Sequence, residues 1–155
     1  LETSLTARLA EKIGVERMYE HGYLRLMFSH GKNAGKRTHR SLYFHHGSGG
    51  GGPVTRGVIS TNRANAMIEA DIYVSGHIHE RWNIDTPRVH LNDSGRMMVD
   101  EATHLCLGTY KQEYTYTGYH IQNRRPAKPL GGYWLRFYFD SRKPGNVGMM
   151  PIKTD

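Results

Sequence analysis

The order of elements in the first half of the chain limits its fold more than any other feature. Residues 41–44 and 72–74 are short apolar runs of the strand type. A loop of five glycines and one serine over residues 47–52 separates them, followed by a helix predicted over residues 61–70. Strand, loop, helix and strand in this order are typical of a βαβ crossover, in which two parallel strands end at the same edge of a sheet.

Histidines follow both of these strands. The first strand runs directly into His45, His46 and Gly47. The second is followed by Gly76-His77-Ile78-His79. Because the carboxyl ends of the two strands meet, the four imidazoles are expected to converge, and imidazole is a common ligand of divalent transition metals. The sequence therefore predicts a metal site with His45, His46, His77 and His79 as candidate ligands.

The rest of the chain predicts further strands and one more helix within a single α/β domain, residues 1–155. In the helix over residues 61–70, Thr61 is the expected cap and Ala64, Met67 and Ile68 are the expected buried stripe. The other predicted elements are a helix from about residue 3 to Gly14, a strand over 23–28 that pairs antiparallel with 41–44 through a turn at 31–35, strands over 88–91 and 97–110 around a turn at 92–95, a loop over 123–132, a strand over 133–139 and an irregular tail over 140–155.

Composition narrows the class of protein and of partner. The chain has 155 residues and a net charge of +7, which favours an anionic partner such as phosphate or nucleic acid, with a basic solvated surface as the alternative. Its only cysteine, Cys106, lies in an apolar stretch and is expected to be a buried thiol in a reducing compartment. No apolar run reaches the roughly 18–20 residues of a membrane span and no signal peptide is recognisable, so a cytoplasmic protein without a membrane partner is expected.

The two histidine motifs, with the glycine-rich loop and helix between them, resemble the last two metal motifs of the calcineurin-like metallophosphoesterases. Phage and prophage members are closest in style, and the resemblance covers about residues 1–82. It implies a four-layer αββα sandwich, in which two β-sheets pack together with helices outside. It also implies two divalent metal ions, Mn, Fe, Zn, Ni or Co, which activate a water that hydrolyses a phosphomonoester or phosphodiester. Within it His77 binds one metal, His79 binds the other, and a histidine of the His45–His46 pair, with His46 slightly favoured, completes the second metal.

The earlier motifs of that family are absent from the sequence. They are Asp-x-His, Gly-Asp-x-x-Asp and Gly-Asn-His, and none occurs here. The chain is therefore expected to be the C-terminal portion of a metallophosphoesterase domain, beginning at Leu1 about where the family's chain resumes after Gly-Asn-His. A preceding segment of the same domain is then a required partner. No catalytic residue is assigned, and the isolated chain is expected to show little or no hydrolysis.

Two further groups of residues are candidates for binding the substrate. Gly47 and Gly49 of the loop could bind a phosphate through backbone N–H groups, and Arg56 could bind phosphate oxygens through its guanidinium; a merely flexible loop and a solvated arginine are the alternatives. Residues 110–128 are rich in Tyr, Arg and Lys and could bind nucleic acid. This stretch and the net charge support the competing hypothesis of a basic nucleic-acid-binding module without catalysis.

Overall fold

A computed structural model describes most of the chain. The described residues are 8, 11–12, 14, 16, 20–29, 37–50, 52, 54–112, 119–140 and 146–154. The turn predicted over residues 31–35 lies outside these ranges. Of the predicted N-terminal helix, residues 8, 11 and 12 are described, and they are helical.

Besides the helical residues 8, 11 and 12, the described ranges contain seven strands and two helices. Their bounds are β1 His21–Ser29, β2 Arg37–His45, α1 Ile59–Met67, β3 Ile72–Ser75, β4 Trp82–Leu91, β5 Met97–Cys106, α2 Tyr119–Gln122, β6 Tyr133–Phe139 and β7 Val147–Lys153. No helix of the described ranges has the length and apolar content that crossing a bilayer requires.

Five of the strands form one mixed sheet in the order β1-β2-β3-β5-β4. The three central strands are parallel, with Leu42 opposite Ile72 and Ile72 opposite Thr103. The outer strands β1 and β4 pair antiparallel with β2 and β5. The predicted crossover from β2 through α1 to β3 is confirmed, and so is the predicted antiparallel pair β1–β2.

Each face of this sheet packs against a different layer, since side chains alternate between faces along a strand. Leu42, Ile72 and Leu105 form a core on one face, against which the hairpin of β6 and β7 packs. The opposite face presents Tyr73 and Ala102 to α1 and the residues that follow it. The described residues thus form a mixed α/β fold, mostly strands. The fourth layer of the αββα sandwich stays a prediction.

The bounds predicted for α1 were wrong at both ends. The helix begins at Ile59, and the Thr61 hydroxyl, which was expected to cap it, donates to the Val58 carbonyl at 2.7 Å. It ends at Met67 because Ile68 is extended, with φ of −135°. Met67 is 83% exposed, so it does not belong to the buried stripe, and Thr61 is buried in its place.

The prediction of an irregular tail was also wrong. Strand β7 pairs antiparallel with β6 from Val147 to Lys153, and Val147 is only 1% exposed. Pro151 lies within this strand opposite Leu135. A proline is tolerated there because, within the described ranges, β7 pairs with β6 alone, and the Leu135–Pro151 pair is a non-hydrogen-bonded one in which the position of the N–H faces away from β6.

Strand β4 is longer than predicted and β5 is shorter, and both differences lie at the open end of their hairpin. Strand β4 begins at Trp82, and β5 ends at Cys106, which is buried as expected. The predicted turn over residues 92–95 is confirmed: the Asn92 side-chain oxygen accepts hydrogen bonds from the backbone N–H of Ser94 at 3.1 Å and of Arg96 at 2.9 Å.

Candidate metal centre

His46 is held between two strands by its own backbone. It is the first residue after β2. Its N–H donates to the Glu20 carbonyl, which precedes β1, at 2.7 Å, and its carbonyl accepts from the Gly76 N–H, which follows β3, at 3.1 Å. These two bonds fix where the His46 side chain leaves the sheet.

His77 and His79 leave the end of β3 in a tight turn. The Ile78 N–H donates to the Gly76 carbonyl at 2.8 Å, which closes a three-residue turn centred on His77. The φ angles of His77 and His79 are +66° and +53°, a region in which side-chain-bearing residues are uncommon. Such backbone strain is often found at functional sites, where the surrounding structure maintains it.

Gly47 allows the two strand ends to approach each other. A Cβ atom on this glycine would lie 2.9 Å from the Gly76 carbonyl oxygen and 3.1 Å from the His77 Cβ. Its φ of +98° is a second reason for glycine at this position. The backbone of the loop therefore lies directly against the Gly76–His77 segment.

The structure brings His46 and His77 together. The His46 Nε2 lies 3.2 Å from the His77 Nδ1. The ring centroids are 5.1 Å apart and the rings are nearly perpendicular, at 71°. The expected convergence of imidazoles from neighbouring strand ends is present for this pair.

His45 turns away from that pair. Its Nδ1 accepts a hydrogen bond from the Gly47 N–H at 2.8 Å. Its side chain lines a second cavity of about 460 Å³ on the side of the sheet that α1 covers, with Tyr43 and Tyr73. The side chains of His45 and His46 therefore lie in different surroundings, because successive side chains of an extended chain point to opposite sides.

A cleft of about 1080 Å³, which we call the cationic cleft, opens at the His77–His79 turn. Both histidines line it. Gly49 and Arg56, two of the residues predicted to bind substrate, lie on its wall, whereas Gly47 does not. Four cationic side chains and one acidic side chain also line the cleft: Arg56, Arg81, Arg125, Lys128 and Glu80.

Two contacts fix the wall of the cleft formed by residues 125–129. The Lys128 ammonium forms an ion pair with Glu80, the residue after His79. The Arg81 guanidinium donates to the carbonyl of Leu130 at 2.6 Å and to that of Thr154. The cleft wall is thus tied to the chain directly after the histidine turn.

Trp82 and Arg81 are lining residues that the sequence did not single out. The Trp82 indole N–H donates to the Arg56 carbonyl at 2.9 Å, so β4 is joined to the segment after the glycine-rich loop. Their position directly after the Gly-His-x-His motif was a usable signal. Arg125 and Lys128 belong to the stretch 110–128, whose residues 113–118 lie outside the described ranges.

His104 shows the other role of histidine in this chain. It is buried in the face of the sheet that α1 covers, where its ring stacks on Tyr73 with centroids 4.4 Å apart. Burial lowers its pKa. His104 is therefore a core residue and not part of the candidate metal centre.

Among the residues that the structure describes, no three His, Cys, Asp or Glu side chains lie close enough together to hold a metal ion. No family model matches the chain, and no curated protein or solved structure matches it either. The case for a function therefore depends on the residues and geometry described above.

Proposed function

We propose that this chain supplies part of a two-metal phosphoesterase centre, in which His46 and His77 bind one divalent metal and His79 contributes to the second. This pairing differs from the one that the resemblance implies, in which a histidine of the His45–His46 pair shares its metal with His79. The observation that carries the proposal is the 3.2 Å between the His46 Nε2 and the His77 Nδ1. Two nitrogens bound to one tetrahedral ion at about 2.0–2.1 Å are about 3.3 Å apart. The same contact is a hydrogen bond between the two rings, and its length matches the spacing of two ligands of one shared ion.

The hydrogen bond of His45 favours His46 as the ligand from the His45–His46 pair. Because the His45 Nδ1 accepts from the Gly47 N–H, a neutral His45 carries its proton on Nε2. Neither nitrogen then offers a lone pair to a metal. His46 thus shares an ion with His77, and the loop hydrogen bond accounts for His45.

Two imidazoles do not complete a catalytic metal site, which usually has three or more protein ligands. The proposed centre therefore requires further ligands besides His46, His77 and His79. The isolated chain is then a weak metal binder with little hydrolysis of its own.

Metal ions in such a centre lower the pKa of a bound water and neutralise the charge of the phosphoryl oxygens. The residues of this chain would add positive charge around them. Arg56 and Arg125 line the cleft beside His77, whereas the charge of Lys128 is balanced by Glu80. The two arginines would therefore attract an anionic ester and hold it near the metals. A phosphate ester is therefore the substrate that the charge of the cleft favours.

Metal titration of the 155-residue chain tests this proposal. We expect Co²⁺ or Zn²⁺ to bind the wild type. His46→Ala or His77→Ala should weaken metal binding by at least about tenfold. This is the lower end of the loss in affinity seen when a residue that only hydrogen-bonds to a metal ligand is removed. His45→Ala should retain binding within about threefold, an allowance for the 2–3-fold context dependence of such effects. His90→Ala, on β4, is the matched control. Isothermal titration calorimetry and the visible absorption of Co²⁺ measure the affinity and the ligand field.

Equal metal affinity in the wild type and both ligand variants would overturn the proposal. So would hydrolysis of p-nitrophenyl phosphate or its bis-ester by the isolated chain at ordinary enzyme rates, because the remaining ligands would then not be needed.

Nucleic-acid binding is the second candidate function, and one observation supports it. Arg125 and Lys128, from the stretch 110–128, line the same cleft as His77 and His79. A nucleic acid attracted by this stretch would therefore lie at the proposed metal centre and not on a separate surface.

A further inference from the structure

We infer that the substrate of the proposed centre is a single-stranded nucleic acid, whose phosphates bind Arg56 and Arg125 and whose base stacks on Trp82. The inference rests on the proposed function, because it names the substrate of the same site. It depends on the size of the cleft, the placement of its cations and its aromatic surface.

The size of the cleft exceeds what a single phosphate needs. Its volume of about 1080 Å³ lies just above the roughly 300–1,000 Å³ of pockets that hold whole small molecules. The histidines occupy one part of the lining, so the remaining length is available to groups on either side of a scissile phosphate. A chain of nucleotides supplies such groups.

The two arginines reach the cleft from different segments. Arg56 follows the glycine-rich loop, and Arg125 belongs to the loop before β6. A guanidinium binds phosphate oxygens through two parallel hydrogen bonds, which suits a backbone with one phosphate per nucleotide. A phosphomonoester has a single phosphate, which the metals would bind, and offers no second phosphate to the two arginines.

Trp82 gives the same cleft an aromatic surface. Its indole N–H donates to the Arg56 carbonyl, so the ring and the Arg56 backbone hold each other in place. Aromatic rings that alternate with cations are the usual means of binding single strands, because every base has a face that can stack. Bases in a duplex are already stacked on their neighbours, so this arrangement selects single strands.

The wall that carries Arg125 is held in place before any ligand arrives. The Glu80–Lys128 ion pair and the Arg81–Leu130 hydrogen bond tie this loop to the residues that follow His79. A binding surface that is already ordered loses less conformational entropy when the ligand binds.

Fluorescence anisotropy tests the inference. The full 155-residue chain is titrated into fluorescein-labelled dT12, and into a 12-mer of abasic sites with the same number of phosphates. EDTA is present throughout, so the result does not depend on a metal. We expect salt-dependent binding of dT12 that is tighter than binding of the abasic strand and of a 12-base-pair duplex.

The variants separate the phosphate contacts from the stacking contact. Arg56→Ala/Arg125→Ala should weaken dT12 binding by at least about tenfold and reduce the slope of log K against log salt by about 1.4, for two phosphate contacts. Arg96→Ala is the matched control, because Arg96 lies in the β4–β5 turn, roughly 30 Å along the strand from Trp82. It should change affinity less than about twofold, as expected of a cation that touches no phosphate.

Trp82→Ala should remove the preference for dT12 over the abasic strand, and Trp82→Phe, which keeps a ring, should retain it. Circular dichroism establishes whether each variant is folded. If Trp82→Ala is not folded, the results for Trp82→Phe and for the arginine variants still test the inference.

Three outcomes would overturn the inference: equal affinity of the wild type for dT12 and the abasic strand, tighter binding of the duplex, or an unchanged affinity in the double arginine variant. None of them affects the metal titration of His46 and His77. Failure of the substrate assignment is therefore distinguishable from failure of the metal centre.

Discussion

At the scale of single residues, the spacing of His46 and His77 depends on backbone atoms that lie in contact. Gly47 has no side chain to separate the loop from Gly76, and the strained turn at His77 points its ring toward His46. The sequence predicted a phosphate contact for Gly47. Its position against the end of β3 gives it a structural role in the pair, and the phosphate contact stays a prediction.

Gly47→Ala should lower both stability and metal affinity. The added Cβ would have to move either the Gly76 carbonyl, 2.9 Å away, or the loop itself. With the cost of a positive φ included, we expect the free energy of unfolding to fall by about 2–4 kcal/mol. Metal affinity should fall at least about tenfold, because the two imidazoles no longer meet. Urea denaturation and calorimetric titration measure the two effects.

Gly95→Ala separates the cost of φ from the cost of the contact. Gly95 has a φ of +73° in the β4–β5 turn, and nothing lies within 4 Å of the position that its Cβ would take. This variant should lose only about 1 kcal/mol, with metal affinity unchanged. Equal losses of stability and metal affinity in Gly47→Ala and Gly95→Ala would mean that neither property depends on the close approach of the strand ends.

At the scale of elements, one carboxylate joins three strands at the end of the sheet opposite the histidines. Asp71, just before β3, accepts from the Ser41 N–H at 2.8 Å and from the Arg88 guanidinium at 2.9 Å. Burial alone would raise the pKa of Asp71, but these hydrogen bonds and the charge of Arg40 outweigh it and hold the pKa below its ordinary value. The carboxylate therefore fixes β2 and β4 relative to β3.

Asp71→Asn should destabilise the fold in a pH-dependent way. Because the folded pKa lies below the ordinary 3.8, the ionised group contributes stability above that pH and loses it as the pH falls toward the folded value. We expect wild type and variant to differ by about 2–3 kcal/mol at pH 6, with a smaller difference below pH 4. Urea unfolding from pH 3 to 7 measures this.

Asp93→Asn is the control, since Asp93 is exposed in the β4–β5 turn. A gap between wild type and Asp71→Asn that stayed constant down to pH 3 would show that ionisation of Asp71 is not the stabilising factor.

The sequence predicted those elements whose patterns are local. Residues 72–74 are an apolar run followed by Ser75 and a glycine, and Asn92 with Gly95 makes a turn by its own chemistry, so both were recognisable. Strand β7 was not, because only pairing with β6 makes Pro151 and its neighbours extended. The strand propensity of the residues gives little information where contacts with distant parts of the chain determine whether a segment is a strand.

The candidate site was predictable to the same extent. The order of strand, helix and strand predicted that His46 and His77 lie at the same edge of the sheet, because the carboxyl ends of parallel strands lie together. The choice between His45 and His46 needed the loop geometry. That Trp82 and Arg125 line the cleft could not be predicted, because the sequence does not define where the segments that carry them lie in space.

At the scale of the whole molecule, the two described sheets share one core. Leu105 is 2% exposed and lies where the five-stranded sheet meets the β6–β7 hairpin. Arg40 of β2 also joins the two sheets, since its guanidinium donates to the Val147 carbonyl at 2.9 Å and to the Asn146 side chain at 2.8 Å. Apolar burial and a polar bridge thus act at the same interface.

A shared core predicts that the two sheets unfold together. Native-state hydrogen exchange should give amides of β3 and β6 the same opening free energy, and Leu105→Ala should lower both by about 2–5 kcal/mol. Val89→Ala, at a 68% exposed position on β4, should leave both within about 0.5 kcal/mol of the wild type. If β6 exchanged at a lower free energy that Leu105→Ala did not change, the hairpin would be a separate unit. The single domain expected for residues 1–155 would then be wrong, because a cooperative domain has one opening free energy for its core strands.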